Sequence, residues 1–343
     1  MSNIRNIKVA DFFSLNTNKE KIKFLLQYAV LAPSTHNSQP WRFKVVDSSC
    51  EIYKDETKYL IEADKRKRNL YISIGCCVEN IVIAAKYFNV LKKFVFFKEY
   101  SKHKTLVAKL TFKNLEKRTQ VNNKYRSILK AITLRATNRG IFKNKKIKID
   151  IIKQINGLNS SDRLKIHLIH NKKDIIGIAK ITKNAIGELY SKKNFRKELS
   201  NWIYPAYLEK KEGISTLSLR IPSLVGLFFP LILRFFNISA TISYLNYKSV
   251  VSLPIICIIT APEDNENIWF EVGRLAQKIL LLTTSFNIDS YITVAAIDVD
   301  KYANKVKKIL HTNSTPHFLF GLGYCHFPKV FSARHSPMGK LLH

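Results

Sequence analysis

Residues 31–43 read LAPSTHNSQPWRF, and this stretch decides how the rest of the chain is interpreted. Apolar residues recur at helical spacing before it, over residues 21–31, and alternate as in a half-buried strand after it, over residues 42–46. Pro33 and Pro40 restrict the backbone near the two ends of the intervening segment. The sequence therefore predicts a stiff loop between a helix and a strand.

The predicted loop carries a run of hydrogen-bonding side chains, namely Ser34, Thr35, His36, Asn37, Ser38 and Gln39. Donors and acceptors on a stiff loop are suited to holding a flat polar ligand. Serine, asparagine and proline are also common in ordinary connecting turns. On this pattern alone, a ligand-binding loop and a plain connector both remain open.

An internal repeat lies further along the chain. Residues 72–90 read ISIGCCVENIVIAAKYFNV and residues 270–288 read FEVGRLAQKILLLTTSFNI, so that Gly75 and Gly273 align at an offset of 198 residues. Both segments have the apolar spacing of a buried helix. Two similar helices indicate two similar halves of the chain, and chance similarity between two apolar helices is the alternative.

The second half contains a compact basic motif, because residues 134–142 read LRATNRGIF. Arg135 and Arg139 offer planar guanidinium groups that bind an anion in a bidentate manner, and Thr137 adds a hydroxyl. A solvent-exposed basic turn would show the same pattern.

Taken together, residues 32–43 resemble the Ala-Pro-Ser-x-x-Asn-x-Gln-Pro-Trp signature of the nitroreductase family of FMN enzymes. The histidine before the asparagine resembles the double-domain, Acg-like branch in particular. Residues 135–139 resemble the Arg-x-Ser-x-Arg motif with which single-domain nitroreductases hold the FMN phosphate, with Thr137 in place of serine. The ending, residues 332–337, resembles the terminal basic clamp of the branch, although a histidine follows Arg334 where a second arginine is usual.

This resemblance implies an α+β, nitroreductase-like fold in which two similar halves are fused as an internal pseudo-dimer. Each half would be a mainly antiparallel sheet with helices. We expect an N-terminal arm over residues 1–18, loosely attached, a first half over residues 19–116 and a second half over residues 117–343. The second half would carry an apolar flap near residues 205–245.

The resemblance also implies one FMN site per chain, at the interface between the halves. The residues expected to bind the cofactor are Pro33, Ser34, His36, Asn37, Gln39, Arg135, Thr137, Arg139 and Arg334. Among them, Asn37 and Gln39 are the expected hydrogen-bonding partners of the ring edge. No catalytic residue is assigned, because in flavoenzymes the cofactor carries the redox chemistry.

The implied function is an FMN-dependent oxidoreductase that passes reducing equivalents from NAD(P)H to a nitro, quinone or similar small acceptor. A flavin-sequestering protein with little turnover is one alternative. A basic membrane-surface or nucleic-acid-binding protein is another. The chain would act as a monomer or a weak homodimer.

Composition bears on these alternatives. The chain has 57 Lys and Arg against 25 Asp and Glu, a net charge of +32, but the lysines are spread through every segment and accompany no nucleic-acid-binding motif. We therefore expect no nucleic-acid partner. The five cysteines are odd in number and lack C-x-x-C spacing, and no apolar leader follows the N-terminus. These features predict a cytoplasmic protein with reduced thiols and no metal site.

The apolar run at residues 221–236, IPSLVGLFFPLILRFF, is shorter than the about 20 residues of a membrane span. Pro222, Gly226 and Pro230 predict a folded flap instead of a straight helix. Such a flap could act as a lid over the flavin, as an anchor in a membrane surface, or as ordinary packing on the core.

The remaining patterns predict secondary structure for most of the chain. Helices are expected over residues 71–90 and 174–199. Strands are expected over residues 43–46, 51–54, 94–97, 105–112, 165–169, 249–260, 291–294 and 318–324.

Overall fold

The computed structural model describes residues 4–97, 105–113, 120–159 and 161–342. Its strands are β1 (Trp41–Val46), β2 (Ser49–Lys54), β3 (Leu91–Phe96), β4 (Leu106–Phe112), β5 (Lys165–Ile169), β6 (Ile203–Tyr204), β7 (Ile214–Ser215), β8 (Ile255–Ala261), β9 (Asp289–Ile292) and β10 (Thr315–Gly323). Its α-helices are α1 (Asn18–Ala29), α2 (Arg68–Tyr87), α3 (Arg126–Leu134), α4 (Ile149–Asn156), α5 (Lys172–Ser191), α6 (Lys193–Trp202), α7 (Ser223–Phe235), α8 (Ser239–Val251), α9 (Glu266–Ser285), α10 (Ala295–Asp298) and α11 (Asp300–Ile309).

Two four-stranded sheets share one topology. The first has the order β1-β2-β4-β3 and the second the order β5-β8-β10-β9, and every neighbouring pair is antiparallel. In chain order each half places two strands before a long helix and two after it, so α2 corresponds to α9. The predicted α+β fold with two similar, mainly antiparallel halves is confirmed.

The two long helices pack against each other at their glycines. A Cβ atom added to Gly75 would lie 2.2 Å from the carbonyl oxygen of Phe270, and one added to Gly273 would lie 2.1 Å from that of Ile72. With the offset of 198 residues, Gly75 corresponds to Gly273 and Ile72 to Phe270, so the two contacts are equivalent and the helices cross as a pseudo-symmetric pair. Only glycine allows this approach of backbone to backbone.

Polar contacts flank this crossing. Gln277 donates from Nε2 to Asn80 Oδ1 at 2.7 Å, and Arg274 pairs with Glu79 at 2.8 Å. The buried apolar core continues from α2 and α9 into both sheets. The pair of α2 and α9 therefore joins the two halves of the molecule.

The largest difference between the halves lies in the connection between the first two strands of each sheet. In the first sheet, β1 and β2 are joined by a turn between Val46 and Ser49. In the second sheet, the corresponding strands β5 and β8 are joined by residues 170–254, which form α5, α6, β6, β7, α7 and α8. We call residues 170–254 the insertion.

Two predicted elements inside the insertion are wrong in extent. The single helix expected over residues 174–199 is broken into α5 and α6 at Lys192, whose ψ of 121° is extended. The strand expected from residue 249 begins only at Ile255, because α8 continues to Val251. The β-branched pair Val250 and Val251 produced a strand pattern in what is the last turn of a helix.

The expectation that residues 221–236 would not form a single helix is also wrong, because α7 is helical through Pro230. A proline inside a helix removes a backbone hydrogen bond and crowds the preceding turn, which disfavours the helix. Here Phe229 and Leu233 bury one face of α7 in a cluster with Phe195 and Leu199 of α6. This packing offsets the local cost.

The N-terminal segment is attached more firmly than expected. Phe12 is 1% exposed and stacks on Phe88 with ring centroids 3.9 Å apart. It therefore belongs to the core of the first half.

Within the described residues, α2 has the length and hydropathy of a membrane-crossing helix, and α7 with α8 would qualify as a pair bent by 118°. The apolar window of α2 is 94% buried inside the molecule. Its hydropathy is thus explained by its place in the core.

Candidate functional site

A cavity of about 340 Å³ lies where the loop before β1, helix α2, the segment after α3, the C-terminal segment and the insertion meet. Its size is within the range of small-molecule sites. Eight of the nine predicted cofactor-binding residues line it, and these are Pro33, Ser34, His36, Asn37, Arg135, Thr137, Arg139 and Arg334. The two motifs, about a hundred residues apart in the chain, thus reach one space.

The loop is held in an unusual backbone conformation. His36, Asn37 and Gln39 have φ values of 52°, 57° and 51°, in the left-handed region that side chains other than glycine rarely adopt. Ser34 Oγ accepts the backbone N–H of Gln39 at 2.9 Å, which closes the loop on itself. Strained backbone of this kind persists only where surrounding contacts impose it, and it is concentrated at functional sites.

The C-terminal segment supplies those contacts. Gln39 Oε1 accepts the N–H of His335 at 3.0 Å, and the Gln39 carbonyl accepts from Lys340 Nζ at 2.9 Å. Asn37 Nδ2 donates to the carbonyl of Ala333 at 3.0 Å. The loop is therefore fixed by residues nearly three hundred positions away.

This arrangement engages two side-chain amides within the chain. Gln39 is fully buried, does not line the cavity, and donates from Nε2 to the Lys211 carbonyl at 2.7 Å. Asn37 lines the cavity, but both ends of its amide already bind the C-terminal segment. Within the described residues both amides therefore shape the loop, and their expected contact with the ring edge stays a prediction.

Two buried arginines converge on the loop from the other side. Arg135 is 2% exposed and Arg334 is 7% exposed. Arg334 donates from Nη1 to Asn37 Oδ1 and from Nη2 to the Ala32 carbonyl, and Arg135 donates from Nη2 to the Leu31 carbonyl at 3.4 Å. Nε and Nη1 of Arg135, and Nε of Arg334, are buried without a hydrogen-bond partner among the described residues.

A third arginine reaches the cavity from the N-terminal segment. Arg5 donates from Nη1 to the carbonyls of Thr133 and Arg135 at 2.9 and 3.3 Å, and its side chain lines the cavity. Sequence reasoning missed it, because no motif surrounds it and only the folded chain brings residue 5 to residue 135.

The electrostatics of this cluster are unfavourable in the absence of an anion. Burial, followed by the charges of Arg5 and Arg135, lowers the pKa of Arg334 well below its usual value. Burial and Arg135 lower the pKa of Arg5 to about 9, and burial lowers that of Arg135 to about 10. Guanidinium groups stay charged in proteins. The lowered pKa values therefore express mainly the cost of burying these charges, to which mutual repulsion adds for Arg5 and Arg334, and a bound anion would offset both.

His36 contributes a neutral ring. Burial and the nearby Arg139 charge lower the pKa of His36 to about 4, so the imidazole is uncharged at neutral pH. Its Nε2 is buried without a partner among the described residues. A neutral imidazole has one donor and one acceptor nitrogen, and here one of them is available to a ligand.

The apolar lining comes mainly from the insertion, through Ile186, Leu189, Tyr190, Phe195, Leu199, Ile221, Phe229 and Ile242. Helix α2 adds Ile72, Ser73 and Cys76. The lining thus has a basic part from the loop, the arginines and the C-terminal segment, and an apolar part from the insertion.

Two relatives from Mycobacterium tuberculosis show what the chain is similar to. "Putative NAD(P)H nitroreductase Rv3131" is 37% identical over 65 residues, 19% of this chain and 19% of the relative. "Putative NAD(P)H nitroreductase acg" is 33% identical over 63 residues, 18% of this chain and 19% of the relative. The match spans about a fifth of the length of these relatives. No family model matches the chain.

Solved nitroreductases show only a distant similarity. The FMN-dependent nitroreductase NfnB from Mycobacterium smegmatis, in complex with NADPH, has a TM-score of 0.37 and 14% identity, over 59% of this chain and 88% of its own. A nitroreductase with bound FMN from Bacteroides fragilis has a TM-score of 0.37 and 12% identity, over 61% and 93%. Similarity at this level carries no conclusion about activity. On the sequence match, the predicted resemblance of this chain to the nitroreductase family, Acg-like proteins included, is confirmed.

Proposed function

We propose that this protein is an FMN-dependent oxidoreductase of the nitroreductase type, which passes reducing equivalents from NAD(P)H to a nitro, quinone or similar small acceptor. The observation that carries the proposal is the buried pair Arg135 and Arg334 beside a strained loop, with guanidinium nitrogens that lack partners among the described residues. The names of the two relatives support the same reading.

The residues present fit the phosphate of FMN. Unpartnered buried donors are costly, and a phosphate accepts from several guanidinium groups in the geometry that arginine favours. Arg135, Arg334 and Arg5 would hold it, with Thr137 and Arg139 at the same end of the cavity. A phosphate dianion would also neutralise the repulsion within the cluster.

The loop over residues 33–37 fits a flat heteroaromatic ring. Pro33 and Ser34 line the cavity, and the neutral imidazole of His36 presents an unpartnered nitrogen. When bound, FMN supplies the redox chemistry. The chain itself binds and orients the ring, and the apolar wall from the insertion limits the access of water.

The test is anaerobic reduction of the FMN-loaded protein by NADH or NADPH, followed by oxidation with a quinone or a nitroaromatic compound. We expect the flavin absorbance to bleach with one nicotinamide per flavin and to return with the acceptor. Failure of both nucleotides to bleach a correctly bound flavin would overturn the oxidoreductase function.

A flavin-sequestering protein is the second candidate, favoured by the apolar side chains Ile221 and Phe229 with which the insertion lines the cavity. A sequestering protein would hold FMN tightly but reduce and reoxidise it slowly. Phe229→Ala would then accelerate reoxidation by bulky acceptors while leaving FMN bound. Equal and fast rates for the wild-type chain and this variant would favour the enzyme.

A further inference from the structure

Helix α7 is apolar on both of its faces. Gly226, Phe229 and Leu233 lie on the inner face and are buried. We define the outer face by Leu224, Phe228, Leu231 and Phe235, which recur at helical spacing and are 77%, 53%, 56% and 69% exposed. A helix that is hydrophobic all round is normally buried in a large protein or in a membrane.

The exposed surface extends beyond the outer face. Phe236 is 64% exposed just after the helix, and Tyr244 of α8 is 50% exposed. A group of large exposed apolar side chains on one helix face of a folded protein marks a site of interaction with a protein or a membrane.

The positive charge around the outer face indicates which kind of partner docks there. Between Glu212 and Glu263 the chain contains Arg220, Arg234 and Lys248 but no acidic residue. Exposed lysines on the adjoining helix α6, Lys193 and Lys197, add to the positive charge. A second copy of this chain would present the same positive charge, and the net charge of +32 opposes that association. An anionic lipid surface complements both the apolar and the basic features.

We propose that the outer face of α7 docks this protein on an anionic phospholipid membrane. A helix of 13 residues is about 20 Å long, shorter than the about 30 Å hydrocarbon core, so it would lie in the interface and not cross it. Its aromatic and aliphatic side chains would insert between the acyl chains, and the surrounding basic residues would contact the headgroups. The proposal does not depend on the flavin function, because the outer face is directed away from the cavity.

The experiment is flotation of the full chain with vesicles of phosphatidylglycerol and phosphatidylcholine in equal parts, with pure phosphatidylcholine vesicles alongside. We expect binding to the mixed vesicles, weaker binding to the neutral ones, and a decline with added salt. Equal binding to both vesicle types, or binding to neither, would overturn the proposal.

Matched variants locate the contact. Leu224→Gln/Phe228→Gln should lower the bound fraction about tenfold or more, because two large apolar side chains no longer enter the lipid. Ile149→Gln/Phe286→Gln changes two similarly exposed residues outside the insertion and should bind like the wild-type chain. Equal loss in both variants would overturn the assignment to α7. So would a self-association in lipid-free solution, measured by sedimentation, that the α7 variant abolishes while vesicle binding stays unchanged.

Discussion

The two halves of this chain keep one sheet topology but differ most in one connection, and that connection supplies the apolar lining of the candidate site. A turn joins β1 to β2 in the first half, whereas residues 170–254 join the corresponding strands in the second. Long connections on the surface cost little additional loop-closure free energy. A fold can therefore keep its sheets and its central helix pair while a long connection in one half lines a cavity with apolar side chains.

The halves also contribute different chemistry. The first half supplies the strained loop before β1, and the second supplies Arg135, Thr137, Arg139 and Arg334. Neither half repeats the other's motif. Pseudo-symmetry in the scaffold is thus combined with asymmetry in the cavity.

The largest expected effect, a loss of stability, tests the close packing of α2 and α9, the long helix that each half contributes. Gly273→Ala would place a Cβ atom 2.1 Å from the carbonyl oxygen of Ile72, so α2 and α9 would have to separate. We expect a loss of more than about 3 kcal/mol in the free energy of unfolding. Urea unfolding would measure it.

The control for this variant is Gly187→Ala in α5. There a Cβ atom would lie 3.8 Å from Ser243, an ordinary contact, and alanine should stabilise the helix by about 0.5–1 kcal/mol. If Gly273→Ala were as stable as wild type, the close crossing of the two helices would be wrong.

The next largest effect, a loss of FMN affinity, tests whether the second half supplies the phosphate-binding residues of the site. Arg135→Met should weaken FMN binding by roughly ten- to a hundredfold, because a hydrogen bond to a charged group contributes about 1.5–3 kcal/mol. Riboflavin, which lacks the phosphate, should bind nearly as before. Titrations of both ligands, followed by flavin fluorescence, would compare the two losses.

For the same variant, Arg135→Met, we expect no loss of stability in the FMN-free protein. Removing one charge from the cluster of buried arginines should leave the FMN-free protein as stable as wild type or more stable. Arg163→Met removes an arginine paired with Glu271 and should leave FMN affinity unchanged. Equal losses of FMN and riboflavin with Arg135→Met would argue against a phosphate site.

A smaller effect concerns Glu212, which joins the insertion to both ends of the chain. Its carboxylate pairs with Lys58, His335 and Lys340. Burial alone would raise the pKa of Glu212, but the hydrogen bonds of His335 and Lys58 and the charge of Lys340 hold it at about 2. Because this pKa is lower than in the unfolded chain, ionised Glu212 stabilises the fold above about pH 4.5, and that stability is lost as the pH falls towards 2.

Glu212→Gln should therefore cost about 1–2 kcal/mol near neutral pH, allowing for solvent screening of a partly exposed group. The difference from wild type should shrink between pH 4.5 and the lowest pH at which the protein folds. The exposed Glu209→Gln serves as the control and should change little. A cost that is constant over this pH range would refute the ionic role of Glu212.

Local patterns predicted much of this molecule. Residues 41–54 alternate and turn as a hairpin does, and the glycine, apolar and Phe-Asn positions of the repeat predicted the α2 and α9 pair. Seven predicted residues of the loop and the arginine motif line one cavity together with Arg334, and their part in binding a cofactor stays a prediction. In these cases the signal is contained within a few neighbouring residues.

The remaining features depend on contacts between distant residues. Pro230 argues against a helix until the packing of α7 on α6 is known. Arg5 and Lys340 carry no motif, and their roles arise because the two ends of the chain meet beside the loop. Gln39 has the residue type of a ligand contact, but the folded C-terminal segment occupies its amide. The prediction of one cofactor site per chain depends on the same distant contacts.

The most direct measurement of the central claim is a stoichiometric titration of the FMN-free chain with FMN, at protein concentrations far above the dissociation constant. Because each half supplies a different part of the site, we predict an end point of one FMN per chain, whether or not the chains associate. Arg135→Met, with an affinity roughly ten- to a hundredfold lower, should reach the same end point through a more gradual titration curve. An end point of two FMN per chain would contradict the claim that the two halves together build a single asymmetric site.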